Sequence, residues 1–553
     1  MTNYRNIRIG IFIAAMWVGL AGHAEQINPE PVSPAQVSLG ADNSSSVSSS
    51  ESSSSNQSIS SKQAFKKKLI EKQSVEREQI DLEKIADELK QNWDNVQAPT
   101  GGLSMVVGNR VYTLRLGKQE EGMFELASTS KAFTGLLIAL LEQEGVLNRE
   151  DLITQWIPEL TENLQMNYSS IQIQNLLFHN SGISSDTLDL LQPNTNQSAL
   201  SQLPELLKNV PLTHAAGTHQ EYATLNYSLL GLVAERATGH SFATLLREKV
   251  FLPLGMKHTV VEGSAPAENA VAETSQSTRI PGYKISFMAA LPYDAPRYWQ
   301  NAPAGYVLST PQDMAVWLQF LLHRLPLEQE GHSLSALYKA LEQAKRPYAG
   351  EGGLGYAYGW DVETDNVLGY ASTHWSHPGQ NPNAAAYVAF DPEAGVGVTL
   401  LGNSNSPQIM ALGQSIFKYL RGASPQLLPE NPSIDMNDWV SSVLAVIFWL
   451  GGALLLLAFI YQYKSGKKQF NYDYFIKHLS IHFIVLNVAL IALLALVPRL
   501  LLGLGWSSLW VWGPLSLPVA AAGLILFVNA IALFFSPLAK SKDRLQRVEG
   551  NES

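Results

Sequence analysis

No cysteine occurs anywhere in the 553 residues, so thiolate nucleophiles, iron–sulfur clusters, cysteine-ligated zinc and disulfides are all excluded. Basic charge is also scarce: 38 Lys and Arg stand against 48 Asp and Glu, a net charge of −10 at pH 7. A chain with that balance lacks the positive field that holds a polyanion, and no nucleic-acid partner is expected. Apolar residues, by contrast, make up 46% of a chain too long for one ordinary domain. The expectation is one central domain with membrane-spanning accessories.

The first 24 residues read as a secretory signal peptide, in which Arg5 and Arg8 precede the apolar run Ile9–Leu20 and Ala21-Gly22-His23-Ala24 offers a small-residue cleavage site. Residues 25–61 are dominated by serine and read as a disordered linker. Residues 62–96 are charged, with a thin apolar stripe at Leu69, Val75, Ile80, Leu82, Ile85 and Leu89, and read as a solvated helical stalk. Two β-rich runs then flank Gly108-Asn109, a hairpin signal, and strand-like runs return at Ala384–Phe390 and Gly395–Leu401. Helical patterns fill the interval from Ser128 to about residue 345. Strands at both ends of residues 97–422 predict an α/β domain with one mixed sheet and an inserted helical lobe.

A linker, 423–438, leads to a 439–540 membrane domain with three apolar stretches, Trp439–Ile460, Leu479–Val497 and about 515–535, each long enough to cross a bilayer. Lys464, Lys467, Lys468 and Lys477 follow the first stretch. Lys540, Lys542, Arg544 and Arg547 lie in or beside the 541–553 tail. Excess Lys and Arg mark cytoplasmic loops, so the central domain is expected on the periplasmic side of a bacterial inner membrane, with the C-terminus inside. Anchoring, self-association as a homodimer and presentation of an amphiphilic substrate are the uses left open for the helices.

The chemistry centres on Ser128-Thr129-Ser130-Lys131 ahead of an apolar helix. A helix starting near Ser128 places Ser128 and Lys131 on one face, and a desolvated lysine can accept the proton of a serine nucleophile. Tyr222 is the candidate proton relay to a leaving group. Ahead of the strand-like run Ala384–Phe390 stands His377-Pro378-Gly379-Gln380, where glycine allows a carbonyl to approach; the backbone N–H groups of Ser128 and Gln380 are the candidate oxyanion hole. His374 and His377 alone, without a convergent carboxylate, predict no metal site, and no cofactor is expected. His214 and His219 read as solvated loop residues.

Taken in order, Ser128…Lys131, Tyr222-Ala223-Thr224 and His377-Pro378-Gly379 resemble the S-x-x-K, Y-x-N and K/H-x-G motifs of the serine β-lactamase-like family, which includes class C β-lactamases, D-alanyl-D-alanine peptidases and related esterases. Supporting segments are LLFHNSGI at 176–183, PLGMKHT at 253–259, PAGYVLSTPQDMAVWL at 303–318 and LGNSNS at 401–406. The resemblance covers about residues 97–422 and implies a β-lactamase-like fold: an antiparallel sheet flanked by helices, plus an inserted helical lobe, followed here by three transmembrane helices. Thr224 stands where the family usually has Asn, which argues against ordinary β-lactam hydrolysis.

A narrower resemblance is to the membrane-anchored peptidases that remove an N-acyl-D-asparagine cap from exported prodrugs, typified by the colibactin-maturation peptidase. It implies a small peptide or N-acyl-D-amino-acid substrate recognised by Glu125, Thr224 and Asn381, with His377 and Gly379 lining the site. It also implies a pocket histidine after the PLGM-like segment, and residues 262–305 contain none. The other readings are a D-alanyl-D-alanine carboxypeptidase or endopeptidase, a β-lactamase-like esterase, and a non-catalytic β-lactam or peptide sensor.

Overall fold

The computed structural model describes residues 64–535 apart from 65, 74, 119, 163–167, 197, 264–277, 348–354, 430–433, 468–479 and 503–507. The expected signal peptide, the serine-rich linker and the tail lie outside the described residues.

In chain order the main elements begin with helix α1 (Leu82–Asn92), strands β1 (Thr100–Val107), β2 (Arg110–Gly117) and β3 (Phe124–Glu125), and helix α2 (Lys131–Gln143). Helix α3 (Thr224–Thr238), β4 (Val260–Val261), β5 (Tyr283–Ser286), β6 (Ala289–Pro292), β7 (Val307–Ser309) and α4 (Pro311–Leu321) follow. Then come β8 (Glu328–Gln329), β9 (His332–Ser333), α5 (Ser335–Ala344), β10 (Tyr356–Ala357), β11 (Trp360–Asp365), β12 (Ser372–Asn381), β13 (Ala384–Asp391) and β14 (Val396–Gly402). Helix α6 (Pro407–Arg421) closes the domain ahead of α7 (Met436–Lys464), α8 (Ser480–Leu502) and α9 (Ser516–Phe535).

Seven strands form one sheet in the order β10-β11-β12-β13-β14-β1-β2. Both ends of the domain contribute, as the sequence predicts, and every neighbouring pair is antiparallel, as the family resemblance implies, which corrects the mixed sheet expected from strand placement alone. The central strands β1, β13 and β14 are buried along their whole length because both faces are covered. Phe133, Leu137, Trp317 and Phe320 belong to the core between sheet and lobe, while Leu103, Met105, Val398 and Leu400 pack with Ile416 and Phe417 on the other face.

That second face revises the reading of residues 62–96. Leu82, Ile85, Ala86 and Leu89 of α1 are buried, Trp93 joins the same core, and further upstream Lys66 pairs with Glu393 while Arg77 donates to the carbonyl of Arg421. Apart from exposed Val75, the thin stripe is a packing surface, so this segment is a layer of the domain and not a solvated stalk. A third correction concerns residues 377–381, expected to precede a strand: they lie inside β12. The fourth concerns the membrane segment. Among the described residues two helices, α7 and α9, are long and apolar enough to cross a membrane, and α8 presents the shorter apolar stretch Phe483–Leu494. Asn487 and Asn529 exchange side-chain amide hydrogen bonds of 2.8 Å in both directions, which ties α8 to α9.

Candidate active site

Strand β3 pairs with β7, Glu125 opposite Leu308, and the N–H of Leu126 donates to the carbonyl of Val307, so the chain is pinned up to residue 126. It then turns sharply at Ala127, whose φ of +49° is uncommon for a residue with a side chain. A 3-10 turn, Ala127–Ser130, runs directly into α2, so Ser128 and Lys131 meet at the entry of the helix.

Lys131 is fully buried. Its Nζ donates to Ser128 Oγ at 3.1 Å and to the carbonyl of Ala304 at 2.9 Å, and it lies 5.0 Å from the centre of the Tyr222 ring. Loss of water pushes the ammonium down to about 7. The segment 303–307 is held against this helix entry: Thr134 Oγ1 donates to the carbonyl of Pro303, and Ser130 Oγ accepts from the N–H of Val307. The 303–318 motif therefore supplies the carbonyl that orients the lysine.

Tyr222 is the outermost of the three, with 43% of its surface exposed. The part of the ring packed against His179 and Lys131 is nevertheless shielded from water, which raises the phenol above its ordinary value, offset in part by a hydrogen bond to Ser128. Its position depends on His179, which sequence reasoning quoted within LLFHNSGI without assigning it a role. The His179 carbonyl accepts from the N–H of Glu221 at 2.8 Å, and its Nδ1 accepts from the N–H of Ala223 at 3.3 Å. The imidazole packs 4.3 Å from the Tyr222 ring, centre to centre. One residue thus brackets three successive ones, and it does so from a left-handed φ of +56°.

On the opposite wall runs β12. Strand β11 pairs with it only as far as Ser376, so residues 377–381 have β13 on one side and an open edge on the other. Gly379 sits on that edge against the Ser128 turn: a Cβ there would lie 2.6 Å from the carbonyl oxygen of Leu126 and 3.2 Å from the N of Ser128. Neighbouring Gln380 is anchored by its side chain, which donates to the carbonyl of Asn405 in the LGNSNS segment. The structure thus brings Ser128, Gly379 and Gln380 to one edge. His377 is buried, its Nε2 lies 3.2 Å from the Tyr356 hydroxyl, and burial with the nearby Lys131 pushes its imidazole down to about 3. His374 packs beside Phe417, on the core face opposite the site, as an odd separation along a strand dictates. Among the described residues no group of three or more His, Cys, Asp and Glu is placed to hold a metal.

The three remaining candidates divide. Glu125 and Asn381 are both buried and joined, the Asn381 amide donating to the Glu125 carboxylate and, at 2.9 Å, to the carbonyl of Gly305. Thr224, at the start of α3, donates instead to Asn301 Oδ1 at 3.3 Å, which Ser228 also engages at 2.8 Å. Sequence reasoning missed Arg279. Its guanidinium contacts Glu125 at 2.6 Å and Glu262 at 3.2 Å, and Arg297 closes on Glu262 at 2.9 Å. Burial still pushes the Glu125 carboxyl up, with Arg279 opposing. Where the narrower resemblance implies a histidine within 262–305, the structure sets an arginine against Glu125.

The comparisons with known proteins agree with this geometry at the level of fold and family. A family model described as Beta-lactamase matches residues 85–414. Protein flp of Staphylococcus aureus (strain MW2) is 26% identical over 426 residues, covering 74% of this chain and 78% of that protein. A Beta-lactamase of Escherichia coli (strain K12) is 27% identical over 315 residues, 52% of this chain and 77% of its own length. A solved class C beta-lactamase shares the fold with a TM-score of 0.51 at 20% identity, covering 63% of this chain and 98% of that one.

Proposed function

We infer the function of this chain from the family to which it belongs, the beta-lactamase family of serine hydrolases, and from one arrangement within its own site. That arrangement is a fully buried lysine 3.1 Å from a serine hydroxyl, its other partner a carbonyl and not a carboxylate. A lysine so placed is deprotonated for much of its time near neutral pH and is a base. The raised phenol of Tyr222 stays protonated and is an acid. The proposed reaction is acyl transfer. Ser128 Oγ attacks an amide carbonyl and gives its proton to Lys131; the N–H groups of Ser128 and Gln380 receive the oxyanion; as the C–N bond breaks, Tyr222 passes its proton to the departing amine and is reprotonated by Lys131, which is neutral again; water then gives a proton to Lys131 as it attacks the acyl-enzyme, and that proton returns to Ser128 Oγ as the acid leaves.

The leading substrate is the N-acyl-D-asparagine cap of an exported non-ribosomal peptide or polyketide product, removed on the periplasmic side of the inner membrane. A carboxylate, an amide and a hydroxyl at Glu125, Asn381 and Thr224 support a pocket for a small carboxamide side chain. The helices α7 and α9, with basic residues beyond their cytoplasmic ends, support the anchoring. One observation favours a second reading, a D-alanyl-D-alanine peptidase or an esterase: Glu125 already has Arg279 and Asn381 as partners and need not await a substrate amide.

Fluorophosphonate labelling of the purified full chain, followed by a panel of acyl substrates, separates these cases. The expected result is labelling that Ser128→Ala abolishes, with release of the amine from an N-acyl-D-asparaginyl amide. Release of D-alanine from D-Ala-D-Ala peptides without action on the D-Asn substrate would replace the leading specificity. Absence of both labelling and turnover would leave a sensor.

A further inference from the structure

The hairpin β5–β6 has a two-residue turn, Phe287-Met288, with φ of +55° and +59°. Such turns ordinarily use Asn-Gly or Asp-Gly, because side chains other than those of Asn and Asp are disfavoured in the left-handed region. Here two large apolar residues occupy it, and both are exposed, Phe287 by 40% and Met288 by 56%. A turn that accepts this conformation while showing its side chains to the outside is built to present them.

The position of the tip says to what. The N–H groups of Phe287 and Met288 donate to the two carboxylate oxygens of Asp438 at 2.8 and 2.7 Å, and Asp438 lies in the first turn of α7. Ser516, at the start of α9, donates to the same carboxylate at 2.6 Å, and the N–H of Leu515 donates to Ser286 Oγ at 2.8 Å. From the hairpin, buried Lys284 reaches the carbonyls of Val511 at 2.6 Å and Gly513 at 3.1 Å, ahead of α9. The tip is therefore locked to the ends of both apolar helices. Met436 and Trp439, beside Asp438, are exposed as well.

We propose that Phe287 and Met288 are an interfacial anchor, inserted at the headgroup and acyl-chain boundary of the outer leaflet, which fixes the catalytic domain at a set height on the membrane. The inference rests on the reading of α7 and α9 as membrane spans. Apolar side chains level with the first turn of a spanning helix meet that boundary, and the bilayer surface is continuous with the apolar flanks of the same helices. The locked hairpin transmits that height inward, since the N–H of Ile285 donates to the side chain of Asn405, whose carbonyl holds Gln380.

The cysteine-free chain makes the test direct. Single cysteines at Phe287, Met288, Asn109 and Leu454, each carrying a nitroxide, are reconstituted in full-length protein in lipid nanodiscs, and collision with oxygen is compared with collision with a water-soluble nickel chelate. Asn109 lies in the exposed turn at the far end of β1, roughly 25 Å from the hairpin end of the strand at about 3.3 Å per residue. Leu454 lies midway along α7. The expected result is chelate accessibility at 287 and 288 reduced at least fivefold relative to 109, with oxygen accessibility between those of 109 and 454. Accessibility at 287 and 288 equal to that at 109, with 454 deep, overturns the anchor alone. Shielding from both reagents would mean that protein covers the tip, and also overturns it. A label at 454 as exposed to chelate as that at 109 overturns the spanning reading and the anchor together. Phe287→Asn with Met288→Gly restores the residues such a turn favours, and is expected to keep or raise thermal stability in detergent; a loss would assign the side chains a packing role and contradict the proposal.

Discussion

Lys131 sits inside the protein with a carbonyl and a serine hydroxyl as its partners, and two consequences follow. The first is kinetic: with its value near 7, activity should rise with pH through about 7 as the amine loses its proton, and a flat profile between pH 6 and 8 would contradict its role as base. The second concerns stability. The folded value lies below the ordinary 10.5, so between about 7 and 10.5 the unfolded chain binds the proton and the folded one does not. Stability contributed by this group therefore rises with pH across that window, by about 1.4 kcal/mol per pH unit at most. Lys131→Met is expected to be inactive yet at least as stable as the parent at pH 7, measured by thermal unfolding in detergent. At Glu125 the sign reverses. Glu125→Gln removes one of the two carboxylates on Arg279 and leaves Glu262, and should lower stability by about 1–3 kcal/mol, whereas Glu125→Gln with Arg279→Met should recover part of that loss. His179→Leu should lower kcat with KM little changed. His179→Asn tolerates the left-handed backbone and retains an acceptor, and should restore part of kcat; equal losses in both variants would make His179 merely structural. The contact of Ser128 with Lys131 was legible because a spacing of three residues at a helix entry brings two side chains within reach. Arg279 was not, since its partners at 125 and 262 are remote in sequence and an isolated arginine carries no periodic mark.

Among the elements, α1 and β12 show where patterns mislead. A stripe of Leu82, Ile85 and Leu89 amid charges is compatible with a solvated helix, and only the sheet face waiting beneath it decides otherwise. Leu89→Ala should cost about 2–5 kcal/mol in thermal or denaturant unfolding, against less than about 0.5 kcal/mol for a solvated stalk. In β12 the pair Pro378-Gly379 suggests a loop, because proline removes a ladder donor. It is tolerated here since β11 ends its pairing at Ser376, and the open edge that accommodates proline is the edge facing Ser128. Gly379→Ala should reduce kcat at least tenfold by pushing β12 away from the Ser128 turn, with folding monitored by circular dichroism. An active Gly379→Ala enzyme would show that the edge is not where the acyl group lies. The hairpin at Gly108-Asn109 and strands β13 and β14 were readable because their turn signals and apolar runs are local.

For the whole molecule, the order of parts was legible from turn signals and apolar runs: a strand-bounded domain followed by apolar helices. How the parts join was not, because the Asp438 and Lys284 contacts link residues about 150 and 230 positions apart in polar bonds that leave no periodicity. The joined structure ties the domain that carries the Ser128–Lys131 pair to two helices long and apolar enough to cross a membrane, and the account stands or falls on the acyl-enzyme proposed for that pair. Rapid-quench mass analysis of the full-length protein mixed with an N-acyl-D-asparaginyl amide tests it most directly. The account predicts a transient mass increase equal to the acyl group, localised to the peptide containing Ser128 and absent in Ser128→Ala. Amine release by Ser128→Ala at the wild-type rate, with no adduct on either protein, would contradict it.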